Sequence, residues 1–293
     1  MRRHLVIGAA ALSLALAPQA AAGTFAGHNG RIAYVQTVAG RPQVFTMAAN
    51  GRDRRQVTNL SGGASSPDWT RDGRALAYSV GGSTIEASDP AGGGPHGIAA
   101  DINALDPTWS PDGGALAVTG VMYTPSGAIE QSSIYVLQAD GNGQRRIVDG
   151  SDPVWSPTGA WILYRPTDAT SDFCPGILAV RPDGSGLHHV VSNYRNDDGT
   201  CSGGGSDPSV SPDGKRVVYV APNGRDLYQV SIYGGAARKL RSDDDQKQSP
   251  VFSPDGQRIL YVTSRATRTI AAKKGGDVKS LGAAVSEPAW QAS

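Results

Sequence analysis

Short apolar runs separated by Gly-rich polar segments recur along this chain. Leu76-Ala77-Tyr78, Val217-Val218-Tyr219 and Ile259-Leu260-Tyr261 are three of them. Each is too short for a buried helix and has the aromatic and β-branched content of a strand. Each follows a shared phrase: a Pro, a hydrophobic residue two positions on, then a turn built on Asp-Gly or its equivalent. The phrase reads Pro67-Asp68-Trp69-Thr70-Arg71-Asp72-Gly73, then Pro107-Thr108-Trp109-Ser110-Pro111-Asp112-Gly113 and Pro153-Val154-Trp155-Ser156-Pro157-Thr158-Gly159. It returns as Pro208-Ser209-Val210-Ser211-Pro212-Asp213-Gly214 and Pro250-Val251-Phe252-Ser253-Pro254-Asp255-Gly256. The lead prolines lie 40, 46, 55 and 42 residues apart, and 38 more lead to Pro288-Ala289-Trp290. A period near forty with strand content is the spacing of propeller blades.

Each unit supplies four strands. Pro-x-Trp-Ser is the first, and Asp-Gly makes a tight turn because Gly accepts positive φ and Asp bonds its own backbone. The apolar run is the second. Ile134-Tyr135-Val136 and Leu227-Tyr228-Gln229-Val230 exemplify the third, and Arg146-Ile147-Val148 and Arg238-Lys239-Leu240 the fourth. One such blade cannot bury both apolar faces alone, so blades must stack. The chain enters the repeat at Asn29-Gly30, already at the second strand. Glu287-Pro288-Ala289-Trp290 supplies the missing first strand at the other end. The expectation is an all-β fold: a six-bladed β-propeller of four-stranded antiparallel blades, its ring closed by the C-terminal strand completing the first blade.

The Trp-Ser-Pro-Asp-Gly phrase resembles the TolB-like, WD-like repeat propellers of bacterial envelope proteins, and the resemblance spans residues 29–291. It implies the propeller alone, without the separate α/β domain that precedes it in TolB and without a following peptidase domain. It does not fix a function, because one fold hosts many.

The first residues change the picture of compartment. Arg2, Arg3 and His4 precede an apolar run from Leu5 to Ala17, then Pro18, Gln19 and Ala20-Ala21-Ala22. This is the pattern of a cleaved signal peptide. The expected organisation is a signal peptide at 1–22, a short linker at 23–28 and a single propeller at 29–293, exported to the periplasm or the exterior of a bacterial envelope. No later stretch is long and apolar enough to span a bilayer. Two cysteines, Cys174 and Cys201, are expected to form one disulfide in an oxidising compartment. A formal net charge of +1 gives no basic excess for nucleic acid.

No catalytic residues are assigned: the chain has no Gly-x-Ser-x-Gly elbow, no phosphate loop and no His-Glu-x-x-His. Trp69, Trp109, Trp155 and Trp290 share one repeat position with Val210 and Phe252, which marks packing. The Asp-Gly aspartates read as turn chemistry. Long excursions at 120–132, 165–175 and 192–206, with Asp243-Asp244-Asp245 beside them, share one face of the disc. That loop face is the candidate binding surface, with Tyr123, Arg165, Tyr194 and Arg195 as contacts. The residues before the lead prolines form a second candidate. Asp106, Asp152, Asp207 and Glu287 start inner strands at the channel mouth, where a ring of carboxylates would suit a hard cation such as Ca²⁺. The competing expectation is that such residues accept backbone N–H bonds from the neighbouring blade. The function expected is a monomeric, non-catalytic scaffold presenting its loop face to an envelope or extracellular protein, peptide or glycan. The alternative is a propeller enzyme of lactonase, lyase or hydrolase type with an acidic, metal-assisted site at the central channel.

Overall fold

The computed structural model describes residues 24–98, 102–167, 176–195, 201–273 and 276–293; of 193–195 and 201–203 it describes the backbone alone. Blade one begins with β1 (Asn29–Val38), β2 (Arg41–Met47) and β3 (Arg55–Gln56). Blade two is β4 (Ala64–Trp69), β5 (Leu76–Val80), β6 (Thr84–Ser88) and β7 (His96–Ile98). Blade three is β8 (Asn103–Trp109), β9 (Ala115–Tyr123), β10 (Ile129–Gln138) and β11 (Arg145–Asp149). Blade four is β12 (Ser151–Trp155), β13 (Ile162–Arg165), β14 (Ile177–Val180) and β15 (His188–Val191). A separate hairpin, β16 (Asn193–Arg195) and β17 (Cys201–Gly203), follows it. Blade five is β18 (Ser206–Val210), β19 (Arg216–Val220), β20 (Asp226–Ser231) and β21 (Arg238–Ser242). Blade six is β22 (Lys247–Phe252), β23 (Arg258–Thr263), β24 (Thr267–Ala271) and β25 (Lys279–Gly282), and β26 (Ser286–Ala292) ends the chain.

Pairing within every blade is antiparallel, and β26 lies beside β1 to give the order β26-β1-β2-β3. The inner strands touch in sequence around a closed circle: β26 to β4, β8, β12, β18, β22 and back to β26. The six-bladed expectation and its C-terminal closure are both met. Gln291 reinforces the closure. Its Oε1 accepts the Arg31 N–H at 2.8 Å, and its Nε2 donates to the Gly73 carbonyl of blade two at 2.8 Å. In the segment before β1, Thr24 and Phe25 are buried, and the Gly27 N–H donates to the Pro254 carbonyl of blade six at 3.2 Å.

The core lies between blades, where apolar faces stack. Trp69 packs with Ala33, Val44 and Ala289 of blade one, and Trp109 with Ala77, Ile85 and Ala87 of blade two. Trp155 meets Ala117 and Ile134 of blade three, and Trp290 meets Val251 and Leu260 of blade six. Val210 and Phe252, at the same repeat position, are fully buried.

The repeat's polar residues build its turns. Ser110 Oγ donates to Asp112 Oδ1 at 2.6 Å and accepts the Ala115 N–H at 2.9 Å, and the Gly114 N–H donates to the same carboxylate oxygen at 3.0 Å. Thr70 with Asp72, Ser211 with Asp213 and Ser253 with Asp255 repeat the hydroxyl–carboxylate bond. These aspartates are spent on backbone geometry.

Candidate functional site

In an antiparallel four-stranded blade, the first and third turns open on one face of the disc. The second loop and the connection between blades open on the other. The inner strands start on this second face.

All six residues preceding the lead prolines have left-handed backbone. Their φ angles are 51° at Ser66, 52° at Asp106, 56° at Asp152, 52° at Asp207, 45° at Ser249 and 48° at Glu287. None is Gly, and a following Pro disfavours helical backbone, so the conformation is strained at every repeat. Each coincides with a β-bulge in the pairing of its inner strand. The bulge turns the side chains of Ser66, Asp106, Asp207 and Glu287 toward adjacent blades, whereas Asp152 meets Arg165 on its own.

Hydrogen bonds show the result. Glu287 Oε2 accepts the Ser66 N–H of blade two, and Asp207 Oδ2 accepts the Ser249 N–H of blade six at 2.9 Å. Ser66 Oγ donates to Asp106 Oδ1 at 2.8 Å. The Asp106 N–H donates to Ser79 Oγ at 3.0 Å, and the Asp152 N–H donates to Thr119 Oγ1 at 3.1 Å. Asp152 Oδ2 pairs with Arg165 Nη1 on its own blade at 3.3 Å. Glu287 and Asp207 therefore turn sideways into the next blade's backbone. Asp106 and Asp152 are held by a hydroxyl and a guanidinium. Among the described residues no three His, Cys, Asp or Glu side chains form a group that could hold a metal ion.

Burial dominates the electrostatics of this ring. It pushes the Asp106 carboxyl well above the usual carboxylate range, and the nearby Asp152 and Glu287 charges add to the rise. Burial also raises Asp152 against the pull of Arg165, raises Asp207 to about 6 and raises Glu287. Asp68 belongs to the repeat phrase Pro67-Asp68-Trp69. It is buried on β4, where Oδ2 accepts the Trp109 N–H of blade three at 2.8 Å, and desolvation pushes its carboxyl to about 7.

The loop face is built differently from the expectation of loops. The excursion at 120–132 is a continuation of β9 and β10 into a projecting ribbon, paired as far as Tyr123 with Ile129. Met122, Tyr123 and Ile129 on it are 56%, 40% and 62% exposed. Beside the ribbon, at the junction of blades two and three, is a cleft of about 870 Å³. Tyr123 lines it and its hydroxyl reaches the Gly82 carbonyl of blade two at 3.4 Å. Arg165 bends back to Asp152, which joins the two candidate sets. The excursion at 192–206 contains the β16–β17 hairpin; the side chains of Tyr194, Arg195 and Cys201 lie outside the described residues, as does Cys174. The expected disulfide falls there too.

Asp243 and Asp245 hold an internal cation. Lys247, fully buried, donates from Nζ to the Asp243 carboxylate, to the Arg225 carbonyl and to the Asp245 carbonyl at 3.0 Å. Arg241 pairs with Asp243 at 2.7 Å and Arg268 with Asp245 at 2.9 Å. On the opposite face, Trp161 meets His188 edge-on at 4.5 Å, and the 72%-exposed Tyr233 stacks on His188 at 6.0 Å. His188 is half-buried, with Nε2 3.0 Å from the Ile232 carbonyl. An outer-strand position alone suggests an exposed side chain there.

Six blades joined through their inner strands define a closed six-bladed β-propeller with its irregular elements on one face. The chain belongs to the TolB beta propeller domain family, whose model matches residues 98–291. Among solved structures it is similar to TolB from Acinetobacter baumannii, with a TM-score of 0.72 and 22% identity over 90% of this chain and 67% of that one. It is similar to the putative TolB from Agrobacterium tumefaciens, with a TM-score of 0.66 and 18% identity over 89% and 92%. An oligogalacturonate lyase in complex with manganese matches with a TM-score of 0.60 and 13% identity over 90% and 78%. These likenesses establish the fold.

Proposed function

We propose that this protein is an exported, monomeric, non-catalytic propeller that presents its loop face to an envelope or extracellular protein, peptide or glycan. One observation carries the reading. The β9–β10 ribbon extends past its blade and holds three exposed apolar side chains, Met122, Tyr123 and Ile129, beside an open cleft. Such exposure on a rigid scaffold marks an interaction surface. The similarity to TolB structures agrees with an envelope location, as does the signal-peptide pattern at 1–22. No helix among the described residues is long and apolar enough to cross a membrane. In an oxidising compartment Cys174 and Cys201 would pair.

Catalysis at the channel mouth is the less supported reading, although the fold is shared with a lyase. The carboxylates there are engaged in bonds between and within blades, which leaves them poorly placed for proton transfer to a substrate.

The test is retention of envelope extract on immobilised mature protein. Wild type is expected to retain specific material that Tyr123→Ala with Ile129→Ser loses, without turnover of ester, lactone, peptide or polyuronate substrates. Equal retention by the double variant, or turnover abolished by Asp152→Asn, contradicts the proposal.

A further inference from the structure

The cleft between blades two and three carries more information than its position. Its chemistry is mixed. Tyr123 and Tyr135 supply aromatic surface, and Asn103 and Gln131 supply side-chain amides. Ser83 and Thr84 of blade two face them across the junction. At about 870 Å³ it falls within the range of small-molecule clefts, roughly 300–1,000 Å³.

The polar groups are fixed in place. Asn103 Nδ2 donates to the Val121 carbonyl at 3.3 Å, and Gln131 Nε2 donates to Asp149 Oδ1 at 3.0 Å. One bond orients each amide and leaves its oxygen and second N–H for a ligand. Tyr135 is held too. A Cβ at Gly120 would sit 2.6 Å from its ring, so only Gly at that position lets the ring lie against the strand. The ring packs on the blade-two and blade-three core while also lining the cleft.

The lining's formal cation is already matched. Arg146 bonds Asp149 through Nη2 and Ser133 Oγ through Nε at 3.0 Å, and Asp149 also accepts the Ser133 hydroxyl at 2.7 Å. An anionic ligand would have to compete with Asp149 for that guanidinium. A cationic one would find no open carboxylate among the lining residues. Aromatic faces, oriented amides and hydroxyls without spare charge suit a neutral polyhydroxylated ligand. The aromatic rings take its C–H faces, and the amides take its hydroxyls.

We infer that this cleft binds a neutral oligosaccharide. The inference rests on the loop-face reading above and gives it a ligand class.

The test is calorimetric titration of the mature protein with four probes: chitotetraose, cellotetraose, tetragalacturonate and an apolar decapeptide. At least one neutral tetrasaccharide is expected to bind, and more tightly than tetragalacturonate. Tyr123→Ala and Gln131→Ala, both at exposed positions, should each weaken it about tenfold or more, equivalent to about 1.4 kcal/mol. Their melting temperatures should match wild type, and Asp207→Asn, at the channel, should bind normally. No binding of either neutral sugar overturns the inference. So does binding unchanged in both variants, or a preference for the uronate or the peptide. The envelope-retention test is separate. Material retained through the ribbon but not released by either neutral sugar defeats this inference and leaves the loop-face reading standing. Loss of ribbon-dependent retention defeats that reading itself.

Discussion

At the scale of single residues, the acidic positions before the prolines show how burial sets chemistry. Asp207 bonds a backbone N–H, yet desolvation still raises its carboxyl to about 6, and Asp68 behaves alike at about 7. The folded state therefore holds protons that the unfolded chain, with carboxyls near 4, has released. Stability from these groups is full below about pH 4 and is lost as pH rises through about 6 to 7. Asp226 runs the other way: burial opposes, but Lys239, Ser242 and Asn223 outweigh it and hold it at about 2, so its contribution is lost only in strong acid. The melting temperature is expected to fall between about pH 4 and pH 7, and Asp207→Asn to flatten that fall, since an amide oxygen still accepts the Ser249 N–H. A melting temperature that rises over this window would contradict the assignment. The four acidic positions were visible in the repeat. Their left-handed backbone was not, because Asp or Ser before Pro ordinarily signals extended chain. Nor did the repeat single out Asp68, whose role depends on the N–H of a residue one blade away.

At the scale of elements, the strands and turns were legible because the blade repeats its own grammar. Where the repeat lapses, so does the legibility. The excursion at 120–132 lacks Asp-Gly punctuation and reads as a loop, but cross-strand pairs such as Gln131 with Met122 continue the ladder. Closure by β26 was readable from the missing first strand, whereas the side-chain clamp at Gln291 was not. Gln291→Ala removes bonds to Arg31 N–H and Gly73 carbonyl together, and is expected to cost about 1–2 kcal/mol in denaturant unfolding. Removing residues 286–293 strips the inner strand from blade one and exposes an unpaired edge, so soluble yield should collapse. Unchanged stability of both variants would mean that the ring does not depend on its C-terminal strand.

At the scale of the whole molecule, the two faces of the disc differ. The loop face carries the β9–β10 ribbon, the β16–β17 hairpin and the cleft. The turn face is closed by short Gly-rich turns, although Tyr233 gives it an exposed aromatic of its own. Propeller symmetry made the two faces distinguishable from loop lengths, but ligand chemistry became readable only when β9, β10 and the blade-two loop were brought together. Placing a photoreactive residue at Ile129 on the ribbon or at Tyr233 on the turn face, and irradiating intact cells, tests the functional face directly. A functional loop face predicts adducts from position 129 and none from position 233. Adducts from position 233 alone, or from neither, would contradict it.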